Sequence, residues 1–391
     1  MAIETFRIEV PQEKLDDLSR RLENANLPQD FANDDWGYGT NGEYLSELLD
    51  YWKNQYDWRE QEAKMNRYDH FKTVIDDVPI HFIHKKGVGP NPKPLILTHG
   101  WPWTFWDFHK IVDPLTDPAA YGGDPEDAFD VIVPSLPGFA LSTPLAKTGI
   151  HWASTADLWV KLMCDELGYE KFYAHGGDWG ALVTSQLGHK YADKLFGIHM
   201  SNAFPLPVFS EDRPWSLGDG MINENSSEET ISSVVSWERK FASHVAVHML
   251  DPQTLAFAMH DSPLGLCAWL IERRRAWGDC RGDIESRFSK EHLINTVMLY
   301  WLTDSFVTAV RYYQEASKYK WLPSHDRLPA IEPLTALSLF EFDLPPGEPN
   351  WQADYYNLAF MNIRESGGHF GAYEEPKAIV TDIRRLLNFE A

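Results

Sequence analysis

Ala174-His175-Gly176-Gly177-Asp178-Trp179-Gly180 is the stretch on which the fold reading turns. The apolar run Lys171-Phe172-Tyr173-Ala174 leading into it has strand character, and Ala181 to Tyr191 beyond it reads as a helix. Asp178 therefore sits at a strand-to-helix corner with small residues two before and two after. This is the G-x-S-x-G spacing, in which glycines let a strained turn present one side chain. Serine at the corner would point to acyl transfer. Aspartate points instead to attack on a saturated carbon, opening an epoxide or displacing a halide and leaving an ester on the enzyme.

Outward from this corner, strand-like runs at Ile80–Lys85, Leu95–Thr98, Val131–Pro134 and Phe196–Met200 alternate with helical patterns, as parallel βαβ units require. Residues 1–70 are charged and tryptophan-rich, with helical patterns over Gln12–Glu23 and Glu43–Tyr56, and read as a meander wrapping a core. Residues 71–203 form the first part of that core. Strand runs then disappear over 204–328, where Glu228–Ala242, Pro263–Ala276 and Lys290–Glu315 are helical in pattern; this segment reads as a helical cap. Residues 329–391 resume the core with strands at Leu334–Phe340 and Tyr356–Ile363 and a last helix at Pro376–Asn388. The expected class is α/β: an α/β-hydrolase core with a mostly parallel sheet, an N-terminal meander and an inserted cap.

The 391 residues, 43% of them hydrophobic, suffice for one large domain with additions. With 58 acidic against 35 basic residues, a net charge of -23, the chain is a poor partner for nucleic acid or anionic membranes. Cys164, Cys267 and Cys280 have neither disulfide-framework nor zinc-site spacing. There is no leader pattern at the N-terminus and no apolar run of about 18 residues, so a cytoplasmic protein without a membrane anchor is expected. No cofactor or metal is expected either. His244 and His248 have i,i+4 metal-pair spacing, but no third ligand stands out.

An α/β-hydrolase places nucleophile, acid and histidine in that chain order. His369, in Ser366-Gly367-Gly368-His369-Phe370, follows the last strand-like run in a glycine-flanked loop suited to a base. The acid should follow the preceding strand, where Glu341-Phe342-Asp343 offers two carboxylates; Asp343 is preferred and Glu341 held in reserve. Water activated by His369 would attack the Asp178 ester, so oxyanion donors are needed at the carboxyl group itself. The backbone N–H groups of Trp179 and of Trp101, in His99-Gly100-Trp101-Pro102, are the candidates. His99 and His175 precede glycine turns and read as structural.

HGWP, GGDWG and GGHF, in this order, resemble the microsomal-type epoxide hydrolases, a group that includes the juvenile-hormone epoxide hydrolases. Phe6-Arg-Ile-Glu-Val-Pro and Asp57-Trp58-Arg59 are similar to that family's N-terminal meander, and Asp261-Ser-Pro-Leu-Gly-Leu-Cys-Ala-Trp-Leu and Met298-Leu-Tyr-Trp to its cap. The resemblance implies an epoxide hydrolase with Asp178 as nucleophile, His369 as base, Asp343 as orienting acid, and Trp101 and Trp179 as oxyanion donors. It also implies a small, mostly apolar epoxide as substrate, and a homodimer. No counterpart of the family's membrane anchor precedes Phe6. Two cap tyrosines usually donate the proton to the opened oxygen. Tyr313 matches the second, with Tyr312 one residue away, while the first falls on His244, a departure that suggests a His/Tyr pair with pH sensitivity near neutrality. Rival readings are a haloalkane dehalogenase with the same aspartate, a fluoroacetate dehalogenase, disfavoured because Trp179 stands where arginine is typical, and a non-catalytic hydrolase-like binding protein.

Overall fold

Short runs rich in Ile, Val, Leu and Phe pair into a nine-stranded sheet among the described residues of this computed structural model. Those residues are 3–389 except 211, 219–220, 223 and 347–351. Met1–Ala2 and Glu390–Ala391, the outer ends of the first and last expected segments, lie outside them. The strands are β1 (Glu4–Phe6), β2 (His70–Ile75), β3 (Val78–Lys85), β4 (Lys93–Thr98), β5 (Phe129–Pro134), β6 (Phe172–Gly176), β7 (Leu195–Met200), β8 (Ile331–Phe340) and β9 (Tyr356–Arg364). Their order is β1-β2-β3-β5-β4-β6-β7-β8-β9. Pairing is antiparallel from β1 to β5 and parallel from β5 through β9.

The sheet is mostly parallel, as expected, with an antiparallel end at β1 to β3. The meander contributes strand β1 as well as helices, and β2 turns into β3 through Asp76 and Asp77, both at positive φ (51° and 63°), as a tight hairpin requires. Next to it, the connection from β5 to β6 passes over β4. That makes a topological switch point, where the ends of β4 and β6 diverge and a ligand crevice opens.

Three helices precede the sheet proper: α1 (Gln12–Glu23), α2 (Gly42–Asn54) and α3 (Trp58–Met65). The crossovers carry α4 (His109–Thr116), α5 (Trp152–Val160) and α6 (Trp179–Lys190). Between β7 and β8 come α7 (Glu228–Phe241), α8 (Ser243–Leu250), α9 (Pro252–Asp261), α10 (Pro263–Trp277), α11 (Lys290–Leu302) and α12 (Phe306–Lys318). The chain closes with α13 (Gln352–Tyr355), α14 (Gly371–Glu374) and α15 (Pro376–Leu387).

The pattern over Lys290–Glu315 reads as one helix but forms two, α11 and α12, bent by 84°. Thr303 Oγ1 donates to the Leu299 carbonyl at 2.6 Å, Asp304 takes φ 55°, and Ser305 N–H returns to the Tyr300 carbonyl at 3.1 Å. Side-chain competition for a helix carbonyl and one left-handed residue end the first helix without glycine or proline. No single helix among the described residues is long and apolar enough to cross a membrane.

The N-terminal segment straps the cap. Lys14 Nζ reaches the Leu302 carbonyl at 3.0 Å and Asp304 at 2.7 Å, Arg21 reaches the Asp261 carbonyl at 2.6 Å, and Tyr56 O–H donates to Asn295 at 2.7 Å. Beneath these polar ties Leu18, Leu22, Leu48 and Trp52 are buried in the same apolar core as the sheet. Their burial, each worth about 1.5–3 kcal/mol, holds the strap more than the exposed ion pairs do.

Helix α6 is buried along Trp179–His189, which is why its pattern has no polar face. It lies so close to β4 that a Cβ on Gly180 would stand 1.9 Å from the Thr98 carbonyl oxygen. Gly180→Ala should therefore push α6 off the sheet and lower the unfolding free energy by about 3 kcal/mol. Urea denaturation reads this directly, and an unchanged midpoint would contradict the packing.

Candidate active site

The nucleophile, the base, its acid and the oxyanion loop each follow the carboxyl end of a parallel strand. After β6, Asp178 takes φ 54° and ψ −123°, a strained conformation of a kind found at functional corners. The loop after β4 approaches it so closely that a Cβ on Gly100 would fall 2.2 Å from Asp178 Oδ1. Glycine at 100 lets the next amide dock: Trp101 N–H donates to Asp178 Oδ1 at 2.8 Å. Trp179 is the first residue of α6, where backbone N–H groups lack a partner within the helix.

The other carboxylate oxygen, Oδ2, faces His369 Nε2 at 3.5 Å, longer than a good hydrogen bond. On the far side of the ring, His369 Nδ1 lies 3.0 and 3.1 Å from the two oxygens of Asp343. Glu341, the reserve acid, is exposed. It lies two residues earlier in the turn over Glu341–Asp343 that follows β8, and Asp343 is the one delivered to the ring. Asn202, beyond β7, links the Asp178 backbone to the Asp343 carboxylate: its Oδ1 accepts from Asp178 N–H at 2.8 Å and its Nδ2 donates to Asp343 Oδ2. A lone asparagine carries little sequence signal; its position just past a parallel strand is the only clue to it.

Burial opposes charge on His369, but the Asp343 and Asp178 carboxylates outweigh it and push the imidazole up to about 10. At neutral pH the free enzyme therefore holds an imidazolium between two carboxylates.

Above Asp178 stand the cap groups. Tyr313 O–H lies 3.2 Å from His244 Nε2, while Tyr312 hydrogen-bonds Thr155 at 2.8 Å, so Tyr313 and not its neighbour faces the site. The His244 ring stacks on Trp101 with centroids 5.0 Å apart and planes 14° off parallel, and lies 4.9 Å from Trp277; its Nδ1 has no partner. Burial above all, with the neighbouring His248 and Arg273, holds His244 well below its ordinary value. The expected titration near neutrality is thus corrected: an imidazole packed between two indoles stays neutral. Burial, aided by the Asp178 charge, likewise keeps the Tyr313 hydroxyl protonated.

His248 accepts from the Trp269 indole at 3.2 Å, and no cluster of three or more His, Cys, Asp or Glu among the described residues is placed to hold a metal. His99 accepts the Leu136 N–H at 3.0 Å and His175 pairs with His199 at 2.8 Å, both inside the core. Trp277, unremarked in the sequence, packs 4.9 Å from the His369 ring, and its carbonyl accepts the His369 N–H at 3.0 Å.

Asp178, His369, Asp343, Tyr313 and His244 line one narrow cavity of about 90 Å³, whose other walls are mainly apolar: Leu182, Phe204, Val208, Phe209, Leu217, Trp237, Phe241, Val245 and Trp277. The arrangement offers a half-buried carboxylate nucleophile beside an imidazole, with two neutral hydrogen-bonding groups in the same cavity.

Residues 3–108 match the family described as Epoxide hydrolase N terminus, and residues 93–232 match the alpha/beta hydrolase fold. The chain is 33% identical to Epoxide hydrolase 1 of Oryctolagus cuniculus, over 99% of this chain and 89% of that protein. It is 32% identical to Juvenile hormone epoxide hydrolase 2 of Ctenocephalides felis, over 97% of this chain and 84% of that one. The solved structure of Aspergillus niger epoxide hydrolase superposes with a TM-score of 0.80 at 25% identity, covering 99% of this chain and 96% of that one.

The position of His369 has a stability consequence. Its pKa in the fold, about 10, lies above the ordinary 6.5, so the charge stabilises the fold fully below about pH 6.5 and this contribution is lost as pH rises through about 10. Asp343→Asn removes the largest source of the shift. The decline of stability across that pH window should be shallower in the variant than in the parent protein, and parallel denaturation profiles would refute the ion triad.

Proposed function

The chain belongs to the epoxide hydrolase family and is an epoxide hydrolase, and we propose that it works by a two-step ester mechanism in which Asp178 Oδ2 attacks one carbon of the oxirane. The ring C–O bond breaks, a C–O bond to Oδ2 forms, and the departing oxygen takes the Tyr313 proton. His244 Nε2–H, beside the phenol, stabilises the phenolate that is left. The presence of nucleophile and donors in the walls of one cavity supports this reading, and the apolar walls support a small, mostly apolar epoxide.

The resting charge on His369 has a part in the order of events. Alkylation makes Asp178 neutral, so the imidazolium loses one of the two carboxylates that held its proton and passes it on to the Tyr313 phenolate. His369 is then a neutral base. It takes a proton from water as the water oxygen adds to the Asp178 carbonyl carbon, and the C=O electron pair moves onto Oδ1, against the Trp101 and Trp179 N–H groups. Collapse breaks the acyl C–O bond. The leaving alkoxide takes the imidazolium proton, the diol departs, and the new carboxylic acid returns its proton to His369. The observation that carries this reading is the Trp101 N–H already seated on Oδ1 at 2.8 Å while Oδ2 remains free of a short hydrogen bond.

Two experiments test it. His369→Gln, incubated with a racemic epoxide such as styrene oxide, should accumulate a covalent adduct on Asp178 by intact mass; absence of an adduct, with active parent enzyme, would sink the two-step mechanism. In a single turnover in heavy-oxygen water the label should enter Asp178 and not the diol, because the diol leaves with the original Oδ2.

For the donor pair, Tyr313→Phe should lower turnover by about a hundredfold. His244→Ala should lower it by about tenfold while His244→Tyr retains most of it, and the parent pH profile should show no inflection from His244 near 6.5. Unaltered turnover in both His244 variants would eliminate its role.

A further inference from the structure

Helix α10 meets both catalytic loops through one buried guanidinium. Arg274 is 1% exposed and its partner Asp107 is fully buried. Nη1 and Nη2 bind the two Asp107 oxygens at 2.6 and 3.0 Å, and Nη2 also donates to the Pro102 carbonyl at 3.0 Å and to Thr296 Oγ1 at 3.3 Å. Pro102 directly follows Trp101. Asp107 in turn accepts the Thr104 N–H at 2.8 Å, closing the loop that begins at Trp101. His292 Nε2 lies 3.3 Å from the same carboxylate. The face of the guanidinium lies 4.1 Å from the ring of Phe370, the residue after His369.

We propose that Arg274 is a positioning residue that holds the Trp101 amide on Asp178 Oδ1 and thereby sets the rate of ester hydrolysis. This builds on the two-step reading above. During alkylation Oδ1 gives up charge, so a slack Trp101 amide costs that step little. During hydrolysis Oδ1 becomes the oxyanion, and a donor displaced by a fraction of an ångström loses the interaction that strengthens in that transition state. A bidentate fork with a third bond to the Pro102 carbonyl is a geometric restraint that a point-charge ammonium lacks.

This role has a kinetic signature distinct from mere stabilisation. Slowing only the second step lowers kcat and KM together and leaves kcat/KM nearly constant, whereas a smaller folded fraction lowers kcat at unchanged KM. Arg274→Lys should lower kcat by about tenfold, lower KM in step, keep kcat/KM within about twofold, and raise the fraction of Asp178 ester trapped by acid quench during steady turnover of styrene oxide. An unchanged kcat, or a kcat loss at constant KM with no added ester, overturns the proposal.

Should Arg274→Lys fail to fold, the double variant Asp107→Leu/Arg274→Met replaces the buried pair with apolar side chains, an exchange often neutral for stability, and still removes the bond to Pro102. The same signature is required of it, and parent-like kinetics in the folded double variant overturns the proposal equally. Lack of ester in His369→Gln and in the parent enzyme would indict the two-step reading itself. Ester present in both but not raised by the Arg274 change indicts the positioning role alone.

Discussion

An imidazole held between two carboxylates in a site walled by indole and phenyl rings is the constraint around which the rest of this molecule is arranged. Asp178, His369 and Asp343 together carry one net negative charge away from bulk water, and such burial is costly unless each oxygen has a partner. Most partners are present: Trp101 N–H on Asp178 Oδ1, Asn202 between Asp178 N–H and Asp343, and both Asp343 oxygens on His369, while Asp178 Oδ2 has only the imidazole 3.5 Å away. Most of these donors come from backbone or from short side chains, which lose little conformational freedom when ordered.

The sheet divides its labour accordingly. Parallel strands β4, β6, β7, β8 and β9 end in the loops bearing Trp101, Asp178, Asn202, Asp343 and His369, so one edge-on row of strand ends delivers all five. The antiparallel strands β1 to β3 supply none of these groups. They cover the edge beside β5 and carry the chain from the strap into the core. The cap adds what the sheet cannot: the neutral pair Tyr313 and His244, and the apolar walls.

Much of this was legible in the residues because it follows from local geometry. The elbow could be read because Gly176 and Gly180 sit where a Cβ would collide with backbone, a covalent constraint that leaves a mark in composition. His369 and the Asp343 region followed from strand order. The choice between Asp343 and Glu341 did not, since it depends on how one turn past β8 rotates. Strands β1 and β2 were missed because their mixed polar patterns show no clear alternation. The break between α11 and α12 was hidden because Thr303-Asp304-Ser305 contains neither glycine nor proline. The depressed basicity of His244 comes chiefly from burial against Trp101 and Trp277, distant in sequence, with His248 four residues on adding to it, and the local pattern shows only the lesser part.

The strap that ties the meander to the cap also sets the order in which the chain can mature. Lys14 finds Asp304 across a separation of 290 residues, and Tyr56 finds Asn295 across 239. On the ribosome these ties cannot form until the cap has been synthesised some 15–60 s later at ordinary elongation rates. Long-range closure of this kind is slow and leaves sticky surface exposed while it waits. The early helices are charged on their outer faces, with Glu13, Asp16, Asp17, Arg20 and Arg21 spread along α1, the kind of surface that disfavours association of such a waiting segment.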